Sequence, residues 1–301
     1  MSAGAENRIG IDLGGTKIEA AVLDSTGKVL FRERTPTPAP GKERYPAILQ
    51  EIAGLLEKAT AIAGTQAPVG MGIPGSLRPG TGVVQNANTT ELIDQPIARD
   101  LRDLTGRDFA IANDANCFAL AEALAGAGQN YNLVFGIIMG TGCGGGIVIG
   151  KKVREGPHAI AGEWGHMSID PAGRPCYCGN SGCIETKISG GALQKIYQEK
   201  SGESITVQEL RRRALTETLA GQIWEQFLED FGRSVGGLIS ILDPDCIVIG
   251  GGLSHIDELY STGLEKIRKY SFSIDLKTPV RKNELGDSAG VIGAAWLAGS
   301  Y

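Results

Sequence analysis

At three places along this chain a short apolar run stops in a cluster of glycines, and that repeated punctuation limits the fold more than any other feature. The clusters are Asp12-Leu13-Gly14-Gly15-Thr16-Lys17, Gly140-Thr141-Gly142-Cys143-Gly144-Gly145-Gly146 and Gly250-Gly251-Gly252. The apolar runs before them, 8–13, 133–139 and 246–249, read as buried strands. Helical periodicity fills the intervals, most clearly in Ile48, Ile52, Leu55, Leu56 and Ala59 of 45–63. Further helices are predicted over 96–105, 114–126, 190–199, 207–215, 219–242, 259–269 and 288–297, and further strands over 18–23, 28–34, 69–73, 109–112 and 147–149. A strand–strand–strand–helix–strand–helix order starts near Arg8, and a second copy can be fitted from Leu133. Hairpins alternating with helices indicate α/β lobes built on mixed sheets, with no low-complexity linker between them.

The chain is long enough for one large core or two moderate ones. Its 42% hydrophobic and 21% charged residues are those of an ordinary folded protein. A formal charge of −5 argues against a broad nucleic-acid footprint, though not against an anionic ligand held by backbone amides. No apolar run reaches the roughly 20 residues needed to span a bilayer. The polar start, 1–7, lacks the apolar centre of a signal peptide. A cytoplasmic protein with reduced cysteines, no membrane contact and no nucleic-acid partner is the expectation. Cys117, Cys143 and Cys246 sit in apolar or glycine-rich surroundings and read as core residues.

None of the glycine clusters is a GxxxxGK[ST] loop. Gly140 to Gly145 fits GxGxxG by letter, but a strand is predicted after it where a dinucleotide fingerprint needs a helix. Any one cluster could be a plain tight turn. Three together, with Thr and Lys inside them, fit backbone cradling of a polyphosphate. Asp12, at a strand end, is a candidate anchor for Mg²⁺. Asn113-Asp114 lies where a strand meets a helix, so Asp114 is either a cap or a base for a substrate hydroxyl.

The cluster His166, Cys176, Cys178 and Cys183 interrupts this framework. Thiolates and an imidazole suit Zn²⁺, and four such ligands make a closed structural site. The alternatives are chance clustering and a local disulfide. Glu163 and Glu185 bracket the cysteines, and both either face one polar ligand or are plain surface carboxylates. One nitrogen of His166 would orient the loop, leaving the other for a hydroxyl.

Over nearly its whole length the chain resembles the ROK-family sugar kinases, and within them the bacterial fructokinases of the mannofructokinase type. The resemblance rests on Ile9-Gly-Ile-Asp-Leu-Gly-Gly-Thr-Lys17, Gly70-Met-Gly-Ile-Pro-Gly-Ser76, Asn86-Ala-Asn-Thr-Thr90 and Ala112-Asn-Asp-Ala-Asn116. It continues through Gly140-Thr-Gly-Cys-Gly144, Ala161-Gly-Glu-Trp-Gly-His166 and Cys176-Tyr-Cys-Gly to Gly182-Cys-Ile-Glu-Thr186. It implies a two-lobed, actin-like (ribonuclease H-like) α/β fold with a structural zinc insert near 160–186. The smaller lobe would span 1–112, completed by 288–301, and the larger one 113–287. Sugar and nucleotide would bind between the lobes.

By the same resemblance the activity is ATP-dependent phosphorylation of a hexose, D-fructose first, with Asp114 as general base. Gly75, Ser76, Asn88, Asn113, Glu163, His166 and Glu185 would hold the sugar. Asp12, Gly14, Gly15, Thr16, Lys17, Thr141, Gly142, Gly251 and Gly252 would hold ATP and Mg²⁺. The protein would be a homodimer, with Zn²⁺ on His166, Cys176, Cys178 and Cys183. One departure is that only Met167 to Pro175 separates His166 from Cys176, a shorter segment than in the mannofructokinase relatives. N-acetylglucosamine kinases and glucokinases share nearly all these motifs and are the alternative. A non-catalytic sugar sensor is a further one. The family's repressors add a DNA-binding domain in front, whereas here seven residues precede the first strand.

Overall fold

The structure is a computed structural model, and it describes residues 7–299. The reading of the polar start (1–7, up to Glu6) and the last two residues of the 288–301 segment therefore lie outside the described residues. The described chain divides into two compact units. The first holds 7–130, Gly146–Ala161 and 284–299, and the second Tyr131–Gly145 and Gly162–Asn283.

In the first unit β1 (Arg8–Leu13), β2 (Lys17–Leu23) and β3 (Val29–Pro36) form an antiparallel meander. β4 (Val69–Ile73) and β7 (Phe109–Asn113) extend it in parallel from β1, giving the order β3-β2-β1-β4-β7. Helix α1 (Arg44–Ala63) buries Ile48, Ile52, Leu55, Leu56 and Ala59, the residues its periodicity marks as apolar. The short strands β5 (Ser76–Leu77) and β6 (Val84–Gln85) pair with each other, and α2 (Ile97–Thr105) follows them. Helix α3 (Asp114–Ala125) packs on the last helix, α9 (Ala289–Leu297). The backbone of α9 lies directly on the sheet because two strand positions lack side chains. A Cβ on Gly10 would meet the Val291 carbonyl at 2.1 Å, and one on Gly70 the Ala294 carbonyl at 1.8 Å.

The second unit is built on β8 (Leu133–Met139), β11 (Cys246–Gly250) and β12 (Val280–Lys282), all parallel. The boundary between units falls inside β9 (Cys143–Ile149), which turns into β10 (Lys152–Val153) within the first unit. The second sheet has the order β10-β9-β8-β11-β12, the same succession as the first, so the repeated pattern is real. Its helices are α4 (Glu185–Ile188), α5 (Gly190–Ser201), α6 (Val207–Arg213), α7 (Thr218–Leu242) and α8 (Thr262–Tyr270).

The strand expected over 147–149 needs correcting, because it begins earlier. The glycines 144–146 are part of β9 rather than a turn. A Cβ on Gly145 would meet Trp164 at 2.7 Å, so bare backbone is what lets that strand pack. The helix expected over 219–242 runs unbroken as α7 through Gly236-Gly237, where a Cβ on Gly236 would meet Tyr270 of α8 at 2.9 Å. The missing side chain is the helix–helix contact. Strand β12 was not foreseen, since its Arg281 and Lys282 are exposed and carry no apolar run. Among the described residues no helix is long and apolar enough to cross a membrane.

Candidate active site

Each unit presents its own set of polar groups. In the first, the β1–β2 turn closes through Gly14 N–H donating to the Lys17 carbonyl (2.9 Å). Its remaining carbonyls are drawn to one side. Gly14 O accepts from Thr37 Oγ1 (2.7 Å), Gly15 O from Arg44 Nη2 (3.0 Å) and Thr16 O from Thr37 N–H (3.0 Å). In a trans peptide the next residue's N–H points opposite to the carbonyl, and no peptide here is cis. The amides of Gly15, Thr16 and Lys17 are therefore aimed away from Thr37 and Arg44, as an anion cradle requires.

Asp12 and Asp114 converge beside Gly72. A Cβ there would lie 3.2 Å from Asp12 Oδ1, 3.3 Å from Cys117 Sγ and 3.7 Å from Asp114 Cα. Asp12 keeps a partial opening to solvent, yet protein surrounds its carboxyl. Burial first, then Asp114 and Glu19, push its pKa up to about 7. A carboxylate so placed favours a bound cation, which fits the expected Mg²⁺ anchor. Glu19 is its neighbour across β1–β2, and Arg34 stands opposite Glu19 across β2–β3. Arg34 Nε reaches the fully buried Glu19 carboxylate at 2.7 Å, and Ser288 adds a hydroxyl to it.

The two readings of Asn113-Asp114 now separate. Asn113 is the N-cap of α3, its side-chain oxygen accepting from Ala115 N–H at 2.9 Å. Its amide nitrogen donates to the Gly75 carbonyl at 3.2 Å. Asp114 is the first residue of the helix, with Oδ1 on the same Ala115 N–H at 2.8 Å. Burial raises the Asp114 pKa, and that hydrogen bond and Asn113 partly oppose the rise. A carboxylate desolvated at a helix start suits a base. Gly75 has φ +123°, and a Cβ there would strike the Gln85 carbonyl at 2.6 Å. Ser76 is buried and accepts from Gln85 Nε2 at 3.2 Å. Asn88 is exposed, next to the buried Thr89 whose hydroxyl lies near Gly15.

In the second unit, the glycine loop after β8 is held by the start of α5. Gly190 N–H donates to Gly140 O (2.7 Å) and Gly191 N–H to Thr141 O (3.1 Å). Glu185 Oε2 accepts from Cys143 N–H at 2.9 Å and would lie 2.6 Å from a Cβ on Gly142. A cavity of about 500 Å³ opens beside this loop. Thr141 and Gly252 line it, as do Gln194, Thr206, Val207, Arg211, Trp224, Leu253 and His255. Gly251 is not among its walls. Its φ of +80° and the Met139 carbonyl, 2.5 Å from where a Cβ would sit, give it a backbone role. Most of these wall residues escaped the sequence reading; the Ser189-Gly190-Gly191 helix start was the one available signal.

The ligand atoms of His166, Cys176, Cys178 and Cys183 lie within 4.8 Å of one another. Cys178 and Cys183 sulfurs are 3.6 Å apart, and Cys176 Sγ is 3.5 Å from His166 Nδ1. A Zn–S bond of about 2.3 Å in a tetrahedron gives edges of roughly 3.8 Å, so the four fit that ion. All six cysteines are free, which removes the disulfide alternative. The other nitrogen, His166 Nε2, meets the Tyr177 hydroxyl at 2.9 Å. Glu163 stands just before the Trp164–His166 turn, and Trp164 Nε1 ties that turn to Gly144 O at 3.0 Å.

Comparison with known proteins agrees with these features. The ROK family model matches residues 8–300. The chain belongs to the ROK family. It is 38% identical to an N-acetyl-D-glucosamine kinase of Pasteurella multocida, over 96% of this chain and 98% of that one. The solved ROK hexokinase of Thermus thermophilus superposes with a TM-score of 0.86 at 34% identity, covering 97% of each chain. A Streptomyces griseus ROK glucokinase, solved with glucose and AMPPNP, gives 0.81 at 29% identity over 98% of this chain and all of that one. The actin-like fold expected from sequence is thus borne out, as is the enzyme class, an ATP-dependent hexose kinase.

The expected fructokinase likeness is corrected. Curated relatives matched along their length include N-acetyl-D-glucosamine kinases at 36–38% identity, and fructose as first substrate falls with the fructokinase likeness. The quoted motifs lie in the glycine turns, the Asn113-Asp114 helix start and the His166/cysteine cluster, features that carry no signature of one particular hexose. Sugar identity depends on pocket details that such motifs do not carry.

Proposed function

We infer that this protein transfers the terminal phosphoryl group of ATP to a hydroxyl of N-acetyl-D-glucosamine. The single observation that supports this most is end-to-end identity of 38% with a kinase for that sugar. Glucose is the second reading, favoured by the 34% and 29% identical hexokinase and glucokinase structures.

The residues take these roles. Asp114 receives the proton of the attacking hydroxyl, and Asn113 fixes that carboxylate's position by capping α3 and holding the Gly75 carbonyl. Gly75, Ser76 and Asn88 are the sugar-binding candidates of the first unit, and Glu163, Glu185 and, if Tyr177 gives up its Nε2, His166 those of the second. The amides of Gly15, Thr16 and Lys17 supply donors to phosphate oxygens. Thr141, Gly142 and Gly252 belong to the nucleotide's adenosine end, with the cavity walls Trp224 and Val207 offering apolar faces. Asp12 would hold Mg²⁺, which supplies neutralisation of phosphate charge when bound. Zn²⁺ on His166, Cys176, Cys178 and Cys183 would stiffen the loops that carry Glu163 and Glu185. Homodimer assembly and a cytoplasmic location belong to the same reading.

The test is metal-replete purified protein assayed for phosphorylated product with Mg²⁺-ATP and each sugar. N-acetyl-D-glucosamine should give the highest kcat/KM. A maximum on glucose would move the assignment to the second reading, and phosphorylation of neither would reject both.

A further inference from the structure

Arg44 is out of place by the usual rules of helices. It is the first residue of α1, where the helix dipole disfavours a cation, and no side chain caps that end. It is nonetheless 9% exposed, with all three guanidinium nitrogens engaged. Nε donates to the Pro38 carbonyl at 2.9 Å, Nη2 to the Gly15 carbonyl at 3.0 Å, and Nη1 to both oxygens of Glu91 at 3.1 and 3.3 Å. Gly15 lies in the phosphate turn, and Glu91 follows Asn88 by three residues in the segment assigned to the sugar. The buried Thr89, between them in sequence, places its hydroxyl near Gly15. A planar fork can satisfy three directions at once, which a lysine ammonium on its flexible stem does not reproduce.

We propose that Arg44 is a positioning residue that locks the phosphate turn and the Asn88–Glu91 segment to each other. By holding the Gly15 carbonyl it fixes the opposite-facing Thr16 amide, and by holding Glu91 it fixes the height of the Asn88 segment. Nucleotide and sugar affinity then share one determinant that touches neither ligand. This rests on the kinase reading above.

The experiment compares wild type, Arg44→Lys and Glu91→Gln for melting temperature, kcat, and KM for ATP and for N-acetyl-D-glucosamine. Arg44→Lys should raise both KM values, by about tenfold for ATP, because small misplacements of binding groups are costly. Glu91→Gln, which lies outside the phosphate turn, should raise KM for ATP as well as for sugar, while remaining folded. A merely structural role would lower the melting temperature and leave both KM values of the folded enzyme unchanged, which overturns the proposal. So would a Glu91→Gln effect confined to the sugar KM. Should Arg44→Lys fail to fold, Glu91→Gln alone decides. Should wild type phosphorylate none of the sugars tried, the kinase reading has failed separately, and calorimetric AMPPNP affinity decides the matter. Equal affinity in wild type and both variants, or none in wild type, rejects the clamp.

Discussion

Asp12→Asn should stabilise this protein while removing most of its activity, and the gain should depend on pH. In an unfolded chain the Asp12 carboxyl titrates near its ordinary 3.8, whereas in the folded protein its pKa is about 7. The folded state therefore holds the proton more tightly. The stability this contributes is complete below pH 3.8 and is lost as pH rises to about 7, beyond which the loss is constant. At about 1.4 kcal/mol per pH unit, the full loss is about 4 kcal/mol. Partial solvent contact makes that a ceiling. Asparagine keeps the shape and does not ionise, so its advantage should grow by about 1–3 kcal/mol between pH 5 and pH 8. In a chain of this size that is a melting-temperature gap widening by roughly 2–8 °C. Scanning calorimetry in magnesium-free buffer, with the cysteine site left loaded, reads it directly. If the variant is less stable than wild type by the same amount at both pH values, then Lys17 and Arg34 outweigh burial and the reasoning is wrong.

Asp114→Asn should lower kcat by about 10²–10⁴-fold with little change in sugar affinity, checked by steady-state kinetics and by calorimetry with the sugar alone. Since burial raises the Asp114 pKa, wild-type kcat/KM should fall on the acid side at a pH above the ordinary carboxylate range; a limb at or below that range would deny Asp114 the role. Gly142→Ala brings a Cβ within 2.6 Å of the Glu185 carboxylate, so sugar KM should rise about tenfold while the melting point moves little. Cys178→Ser should lose bound zinc, measured by elemental analysis, and lower the melting temperature by several degrees; retained zinc would deny that sulfur its ligand role.

Much of the fold could be read from the sequence because its signals are local. Buried strands such as Ile9 to Leu13 are short apolar runs, and the turn at Gly14-Gly15 announces itself by composition. The apolar face of α1 repeats at helical spacing. What stayed hidden depends on distant packing. Gly145 and Gly236 look like breaks in sequence, but they are places where Trp164 and Tyr270 press on bare backbone. The Gln194 and Trp224 walls of the cavity sit on helices whose periodicity tells which face is apolar, and not what that face meets. Arg44 reads as a surface charge until its three carbonyl and carboxylate partners are seen. The cluster of His166 with Cys176, Cys178 and Cys183 was legible because the four lie within eighteen residues, and the sugar was not, because one hydroxyl or acetamide group alters few positions.

The most direct measurement is ADP release by the purified protein with Mg²⁺-ATP across N-acetyl-D-glucosamine, glucose, mannose, N-acetylmannosamine and fructose. A ROK kinase of the kind inferred should show its largest kcat/KM on N-acetyl-D-glucosamine, with fructose at least about tenfold lower. A maximum on any of the other four sugars, or turnover of none of the five, would contradict it.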